Sequence, residues 1–473
     1  MCPKIIHAMA FVAVYFIFLQ AVGQSVDTLK KVDIQTALTI TKENYPAIKR
    51  KRAETEAANY ELKAAKNNFL PNFIVQGQVL NSTSNSIRGA FYPNDGTALP
   101  VSAGLKVNGT TNDATWNSAA TGLINWKFFN FGKLRAAVDV AKAGAVAAEA
   151  DYQNELFQQQ IKVSDAYFLS LMADDMLKSQ SANLARVKAL RDVTSAYAKS
   201  GIKPGVDSSL VNAEYSKATL QLLDAQRIAA EQSVYLKELM GLKNDNKIEL
   251  DTIVYYTKQP QTLEMANEYA NNPRLIYYKS IVDVNQAQIK AIKYSQYPSI
   301  SFIGSGWARG SGVADKTLPD GGFIYNKSFS GGVGFRAYNW MVGVTTVWNF
   351  TSLFQTGNQA RAQKHVATMA QERFNEETLH VESELERARL RYKTTLEAAR
   401  QAPIQLKAAQ DAYAQAKARY DAGLNSILEL TQTFALLNRA EVDADFARGN
   451  VWRALIQYAA ATGSLDSFTS NLN

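Results

Sequence analysis

Apolar residues recur at helical spacing from about Val32 to Phe69, where Ala37, Leu38, Ile40, Ile48, Ala53, Ala57, Leu62 and Ala65 stand among Lys and Glu. Pro71 ends that predicted helix. The period then falls to two: Phe73, Val75 and Val79 alternate with polar or small neighbours through about Ser84, which predicts a strand. Residues 85–114 are rich in Asn, Gly, Asp, Pro, Thr and Ser, with Pro93-Asn94-Asp95-Gly96 as a turn, and predict a long loop. A second strand puts Trp116, Ser118, Ala120, Gly122, Ile124, Trp126 and Phe128 on one face. From Lys133 to about Ser200 there is no proline, and Leu134, Val138, Ala141, Ala145, Ala148 and Tyr152 step by four and three. Phe157, Ile161, Ser164, Phe168 and Leu171 restart that stepping, so one very long helix carries a coiled-coil-like seam with a phase shift. Gly201-Ile202-Lys203-Pro204-Gly205 reverses the chain, and a helix from about Asp207 to Met240 ends on Gly241 as a C-terminal cap.

The same order then returns: helix about 262–295, strands about 299–309 and 333–350, long helix about 358–420, a turn at Gly423, and helix about 427–461. The spacings match. Pro46 to Pro71 and Pro273 to Pro298 are both 25 residues, Trp126 to Gly201 and Trp348 to Gly423 both 75, and Gly201 to Gly241 and Gly423 to Gly463 both 40. Only Pro71 to Trp126 (55) and Pro298 to Trp348 (50) differ, which places the length variation in a surface loop. The chain divides into repeat 1 (24–241), a linker (242–261) and repeat 2 (262–473), preceded by residues 1–23. Within repeat 1 the helices before the strands and after the turn together match the long helix, about 100 Å at 1.5 Å per residue. Two short helices laid head to tail against one long one is the simplest packing.

Residues 1–23 read as a secretory signal peptide: Lys4, an apolar run from Ile5 to Val22, then Ala21-Val22-Gly23 before Gln24-Ser25. The other reading is a membrane anchor, since about 18 apolar residues can just span a bilayer. Cys2 is the only cysteine, so the mature chain would have neither a disulfide nor a thiol nucleophile. The net charge of +8 is spread along the chain without a Lys/Arg block interleaved with aromatics, which argues against nucleic acid as a partner.

No other segment has the apolar length of a transmembrane helix, so an exported chain that still spans a membrane would have to use strands closed into a barrel. Trp116 and Trp126, ten residues apart on one strand, would stand about 25 Å apart on a tilted strand, the height between the aromatic girdles of a membrane barrel. Trp340 and Trp348, with Val342, Val344 and Thr346 between, repeat the arrangement. The alternative is a half-buried soluble sheet. Four strands cannot close alone, because the smallest such barrels have about eight. The expected fold is therefore mainly α with membrane β, and the chain is expected to oligomerise; three copies would supply twelve strands.

Leu70-Pro71, Tyr297-Pro298, Asn272-Pro273, Trp126 and Trp348 before a helix start, Tyr420-Asp421-Ala422-Gly423-Leu424 and Ala461-Thr462-Gly463 together resemble the repeat signature of the TolC-like outer-membrane efflux protein family. The resemblance covers nearly the whole mature chain. It implies a homotrimer whose twelve-stranded barrel in the outer membrane of a Gram-negative bacterium continues into a helical barrel across the periplasm. It also implies an exit duct for substrates that an inner-membrane pump, proton-driven or ABC, delivers through a periplasmic adaptor. By the family's offset, Asp207 and Glu429 would narrow the periplasmic mouth, with Gln432 where a second acid would stand. Three copies of Glu429 would form a carboxylate ring favouring cations; the other reading of both acids is ordinary first-turn residues on a solvated helix. Gly201, Ile202, Gly423 and Leu424 form the hairpin tips that would meet the adaptor.

Little points to catalysis. His365 and His380 stand about four turns apart without metal-ligand spacing, and Gly304-Ser305-Gly306-Trp307-Ala308-Arg309-Gly310 misses the dinucleotide spacing. The sequence therefore predicts no enzyme, no cofactor and no metal. Two rivals to drug or metal efflux stay open: an exit duct for type I protein secretion, and an exported helical-bundle tether.

Overall fold

A computed structural model describes residues 31–83, 112–246, 248–258, 260, 269–319 and 322–472. The signal-peptide reading (1–23), Cys2 and the turn at Pro93–Gly96 lie outside the described residues. Helices α1 (Ile34–Asn44) and α2 (Pro46–Asn67) lead into strands β1 (Asn72–Thr83) and β2 (Ala114–Phe129). Helices α3 (Lys133–Lys199) and α4 (Gly205–Leu239) complete the first repeat, and α5 (Ile253–Thr257) lies in the linker. The second repeat contains α6 (Pro273–Ser295), β3 (Ser299–Ser311), β4 (Val313–Thr317), β5 (Phe323–Tyr325), α7 (Phe329–Val333), β6 (Ala337–Val347), α8 (Ser352–Asp421), α9 (Ile427–Thr462) and α10 (Asp466–Thr469).

Three expectations change. Among the described residues, the helix predicted from about 262 begins only at Pro273, with 269–272 outside it. The first helix is two, because Tyr45 precedes Pro46 and adopts an extended backbone (φ −66°, ψ 123°), the conformation that the proline ring imposes on its predecessor. The strand predicted from residue 333 begins only at Ala337. Ahead of it, Gly331 and Gly332 fold into α7, whose Ser328 hydroxyl caps the Gly331 N–H at 3.2 Å, and β4 pairs antiparallel with β5.

By compactness the chain forms two units that each draw on both repeats: residues 31–57, 146–282 and 369–472 in one, 58–145 and 283–368 in the other. The first unit is helical. Its core gathers around Trp452 on α9, which stacks on Phe168 of α3 at 5.2 Å and meets Phe468 of α10 edge-on. Tyr167 ties the linker in, donating its hydroxyl to the carbonyls of Val32 (3.0 Å) and Asp251 (2.8 Å). The bidentate pair Arg453–Asp165 (2.7 and 3.1 Å) and the pair Arg186–Glu441 cross-link α9 to α3.

The repeat-closing glycines explain the head-to-tail packing. Gly241 (φ +71°) and Gly463 (φ +82°) each end a helix in the left-handed region. A Cβ on Gly241 would lie 2.8 Å from the Asn44 carbonyl carbon, and one on Gly463 would lie 2.3 Å from Asn272 Cα. The end of α4 thus abuts the start of α2, and the end of α9 abuts the start of α6. Asn272, buried there, donates its amide to the Ala461 carbonyl at 3.1 Å and satisfies the last turn of α9.

The second unit holds the sheet, antiparallel in the order β1-β2-β3-β6. Each repeat contributes one hairpin and the two meet along β2–β3, with Ala120 opposite Gly77 and Ala308, and Gly306 opposite Trp340.

Both Gly241→Ala and Gly463→Ala are expected to cost about 2–4 kcal/mol, the left-handed penalty plus overpacking against backbone. Gly201→Ala and Gly423→Ala, with open space at the same φ, should cost about 1 kcal/mol. Thermal midpoints of the four detergent-solubilised variants check this; equal losses would contradict it. A pH effect follows from the same unit. Burial, reinforced by the charge of Asp175, holds the Asp445 carboxyl above the usual carboxylate range, and burial does the same to Asp174. The folded protein then keeps protons that the unfolded chain has lost, so their contribution to stability falls as pH rises through that window. Asp445→Asn should shrink the loss of thermal midpoint between about pH 4 and pH 7; an unchanged loss would count against the assignment.

Candidate functional site

The two helical hairpins end in the same device. At each tip the helix closes in a Schellman motif: Ile202 N–H donates to Tyr197 O (2.9 Å) and Gly201 N–H to Ala198 O (3.2 Å), while Leu424 N–H donates to Arg419 O (2.8 Å) and Gly423 N–H to Tyr420 O (2.9 Å). Gly201 (φ +76°) and Gly423 (φ +75°) supply the left-handed residue that the motif requires. A shared cluster of Val211, Ala416, Tyr420, Ile427 and Leu430 packs the hairpins side by side, and Lys203 Nζ stands over the Tyr420 ring at 5.0 Å. Ile202, Val206, Leu424 and Leu428 stay exposed, at one and five residues past the turn glycine in both repeats. Val206 and Leu428 join the tip residues expected from the sequence, and their shared offset of five residues from the turn glycine is legible there.

The acids lie one turn beyond the tips. Asp207 is half-buried in the first turn of α4, its N–H donating to the Pro204 carbonyl at 3.1 Å. Glu429 is exposed in the first turn of α9, where its N–H donates to the Ser426 hydroxyl at 3.3 Å. Ser426 and Glu429 have the spacing of a capping box. Gln432 is exposed three residues further on. Neither acid forms an ion pair among the described residues.

Side-chain alternation gives the sheet two unlike faces. On one face, β1 places Phe73, Val75 and Val79, and β6 places Tyr338, Trp340, Val342 and Val344, all exposed. The central strands fill that face with small residues, Ala120 and Gly122 beside Gly304, Gly306 and Ala308. The other face carries most of the polar side chains, Gln76, Gln78, Asn117, Thr121, Asn125, Ser305, Arg309 and Asn339, interspersed with Ile74, Leu80, Leu123, Trp307 and Met341. Trp126 and Trp348 do the same work in both repeats. Each indole N–H donates at 3.0 Å to the carbonyl two residues before the helix-ending proline, Phe69 and Gln296, and each ring packs on the aromatic residue two positions on, Phe128 and Phe350. Trp116 is half-buried, edge-on to Phe329 at 5.0 Å beneath α7. Through the register Trp340 stands opposite Gly306, which stands opposite Gly122, midway between Trp116 and Trp126.

Among the described residues no group of three or more His, Cys, Asp or Glu is placed to hold a metal, and no helix is long and apolar enough to cross a membrane. His380 lies 3.9 Å from Glu376 on the same helix.

The model of the outer membrane efflux protein family matches residues 37–242 and 266–464, one segment per repeat. Solved structures share the fold at low identity. The outer membrane protein VceC from Vibrio cholerae is 14% identical with a TM-score of 0.72, over 91% of this chain and 96% of that one. The CmeC outer membrane channel of Campylobacter jejuni is 14% identical with a TM-score of 0.71, over 91% and 85%. The MtrE outer membrane channel of Neisseria gonorrhoeae, solved in its open state, is 14% identical with a TM-score of 0.70, over 91% and 89%. No curated protein matches the chain. Matched through both of its repeats, the chain belongs to the outer membrane efflux protein family.

Proposed function

We propose that the chain is the outer-membrane exit duct of a tripartite efflux system, a passive conduit for substrates handed over by an inner-membrane pump through a periplasmic adaptor. One observation carries this reading. The sheet has an apolar face, a polar face and two edges, β1 and β6, without a strand partner among the described residues. Apolar residues belong against lipid, where each unpaired backbone group costs several kcal/mol. Pairing β1 of one copy with β6 of the next removes both edges, and three copies close a twelve-stranded barrel of the even-numbered kind. Trp126 and Trp348 then anchor the periplasmic interface, with Trp116 toward the outer side and Trp340 at about mid-height of the wall.

The helices extend the barrel as a tunnel. Tips at Gly201, Ile202, Gly423 and Leu424 present exposed apolar side chains to the adaptor's own hairpins. Just inside, Asp207 and Glu429 from three copies line the mouth, with Gln432 leaving the ring incomplete. Channel chemistry asks nothing more of the side chains than this lining, and the family is one of channels rather than enzymes.

Cysteine at Val75 in β1, combined one at a time with cysteine at 338, 340, 342, 344 or 346 in β6, should yield disulfide-linked species of up to three chains for at least one pair. A failure of every pair in a membrane-inserted protein would break the barrel assignment. Asp207→Asn with Glu429→Gln should raise single-channel conductance by roughly half or more and weaken block by divalent cations. Unchanged conductance would remove the mouth ring and leave the duct. Gly423→Arg is expected to abolish export while the protein still inserts, whereas Gly423→Ala exports nearly normally; export by the arginine variant would rule out the tip as the docking surface.

A further inference from the structure

The polar face of the sheet carries a charge pattern that a neutral conduit does not require. The four long strands contain no carboxylate and two cations, Lys127 and Arg309. Arg309 lies near the far end of β3 from α6, and its guanidinium makes no hydrogen bond or ion pair among the described residues. Its carbonyl accepts the Arg336 N–H at 2.8 Å, which brings a second guanidinium alongside. Arg336 is pinned by donating to the carbonyls of Val313 (2.7 Å) and Ser311. Both arginines line an open pocket of about 430 Å³ together with Gln78, Asn117 and Ser311, and no carboxylate lines it. Asp113, the acid just ahead of β2, is bound to Lys327 at 2.6 Å.

An unpaired guanidinium would be costly against lipid, so the arginine-bearing face is the one that water must reach. A guanidinium held by two carbonyls, an unpaired one beside it, and neighbouring side-chain amides make a receptor for carboxylate or phosphate, which arginine binds by paired N–H donors. We propose that Arg309 and Arg336 form an anion-binding station on the inner wall near the outer end of the duct, taking small carboxylate- or phosphate-bearing solutes. The proposal rests on the duct reading, in which the polar face lines the lumen. Three copies would give a ring of six guanidinium groups at the exit, opposite in sign to the carboxylates at the periplasmic mouth.

The test is a planar bilayer holding the full-length protein across a KCl gradient. Arg309→Gln should lower the chloride-to-potassium permeability ratio about twofold or more, and Arg309→Lys should largely keep it. Inorganic phosphate added on the outer side should reduce the wild-type current and leave Arg309→Gln unaffected. Open Arg309→Gln channels with the wild-type ratio and the wild-type phosphate response would overturn the station and leave the duct. Should that variant fail to insert, phosphate without effect on the wild type would overturn it equally. A wild type that never conducts would overturn the duct reading, and the station with it.

Discussion

A sheet with one apolar face and two open edges depends on backbone hydrogen bonding more than on any side chain. In water the edges of β1 and β6 could be solvated; in hydrocarbon they cannot. The same four strands are too few to bend round and meet. On the duct reading proposed above, a single copy is incomplete and each repeat's one hairpin is a fraction of a wall. The small residues at the centre of the apolar face, Ala120, Gly122, Gly304 and Gly306, leave the large ones, Phe73, Val75, Trp340 and Val344, on the edge strands. At that height the bulk lies where the next copy would join, whereas nearer the helices Ile124, Trp126 and Phe302 carry it on the central strands.

Duplication supplies the rest. Each repeat ends a helix on a left-handed glycine that fits against the start of another helix, and any Cβ there would force the opposing backbone to shift. Each repeat also fastens the end of its second strand by the same indole hydrogen bond, from Trp126 to Phe69 and from Trp348 to Gln296. These contacts explain why the proline-to-proline, tryptophan-to-glycine and glycine-to-glycine intervals are equal to the residue in both halves, while the proline-to-tryptophan interval, which spans the loop, is free to differ. A one-residue insertion between Pro46 and Pro71 would rotate α2 by about 100° and carry its apolar stripe off the neighbouring helix.

Long elements were the most legible in the sequence. The stepping from Leu134 onward marked α3 to within a residue or two, and the turn glycines marked both tips. The break at Tyr45 was written in Pro46 but hidden by apolar spacing that runs on through Ile48. The insert before β6 was harder: Gly331, Gly332 and Gly334 read equally as strand, bulge or turn, and only the close approach of Gly332 to the Trp116 carbonyl selects α7. Side-chain roles were the least legible. Glu429 as a mouth acid and Glu429 as a capping-box residue have the same sequence, and the Ser426 hydrogen bond accounts for its backbone without fixing what its carboxylate does. Arg309 was passed over inside a glycine-rich run, because its significance lies in the absence of any acid on the strands around it.

The central claim is that one chain supplies a third of a closed wall. Negative-stain electron microscopy of the detergent-extracted protein tests it directly. The account predicts a threefold cylinder on the order of 100 Å or longer, wider at its membrane end. Single-chain rods or compact particles would contradict it, and an exported tether would then be the better reading of the same helices.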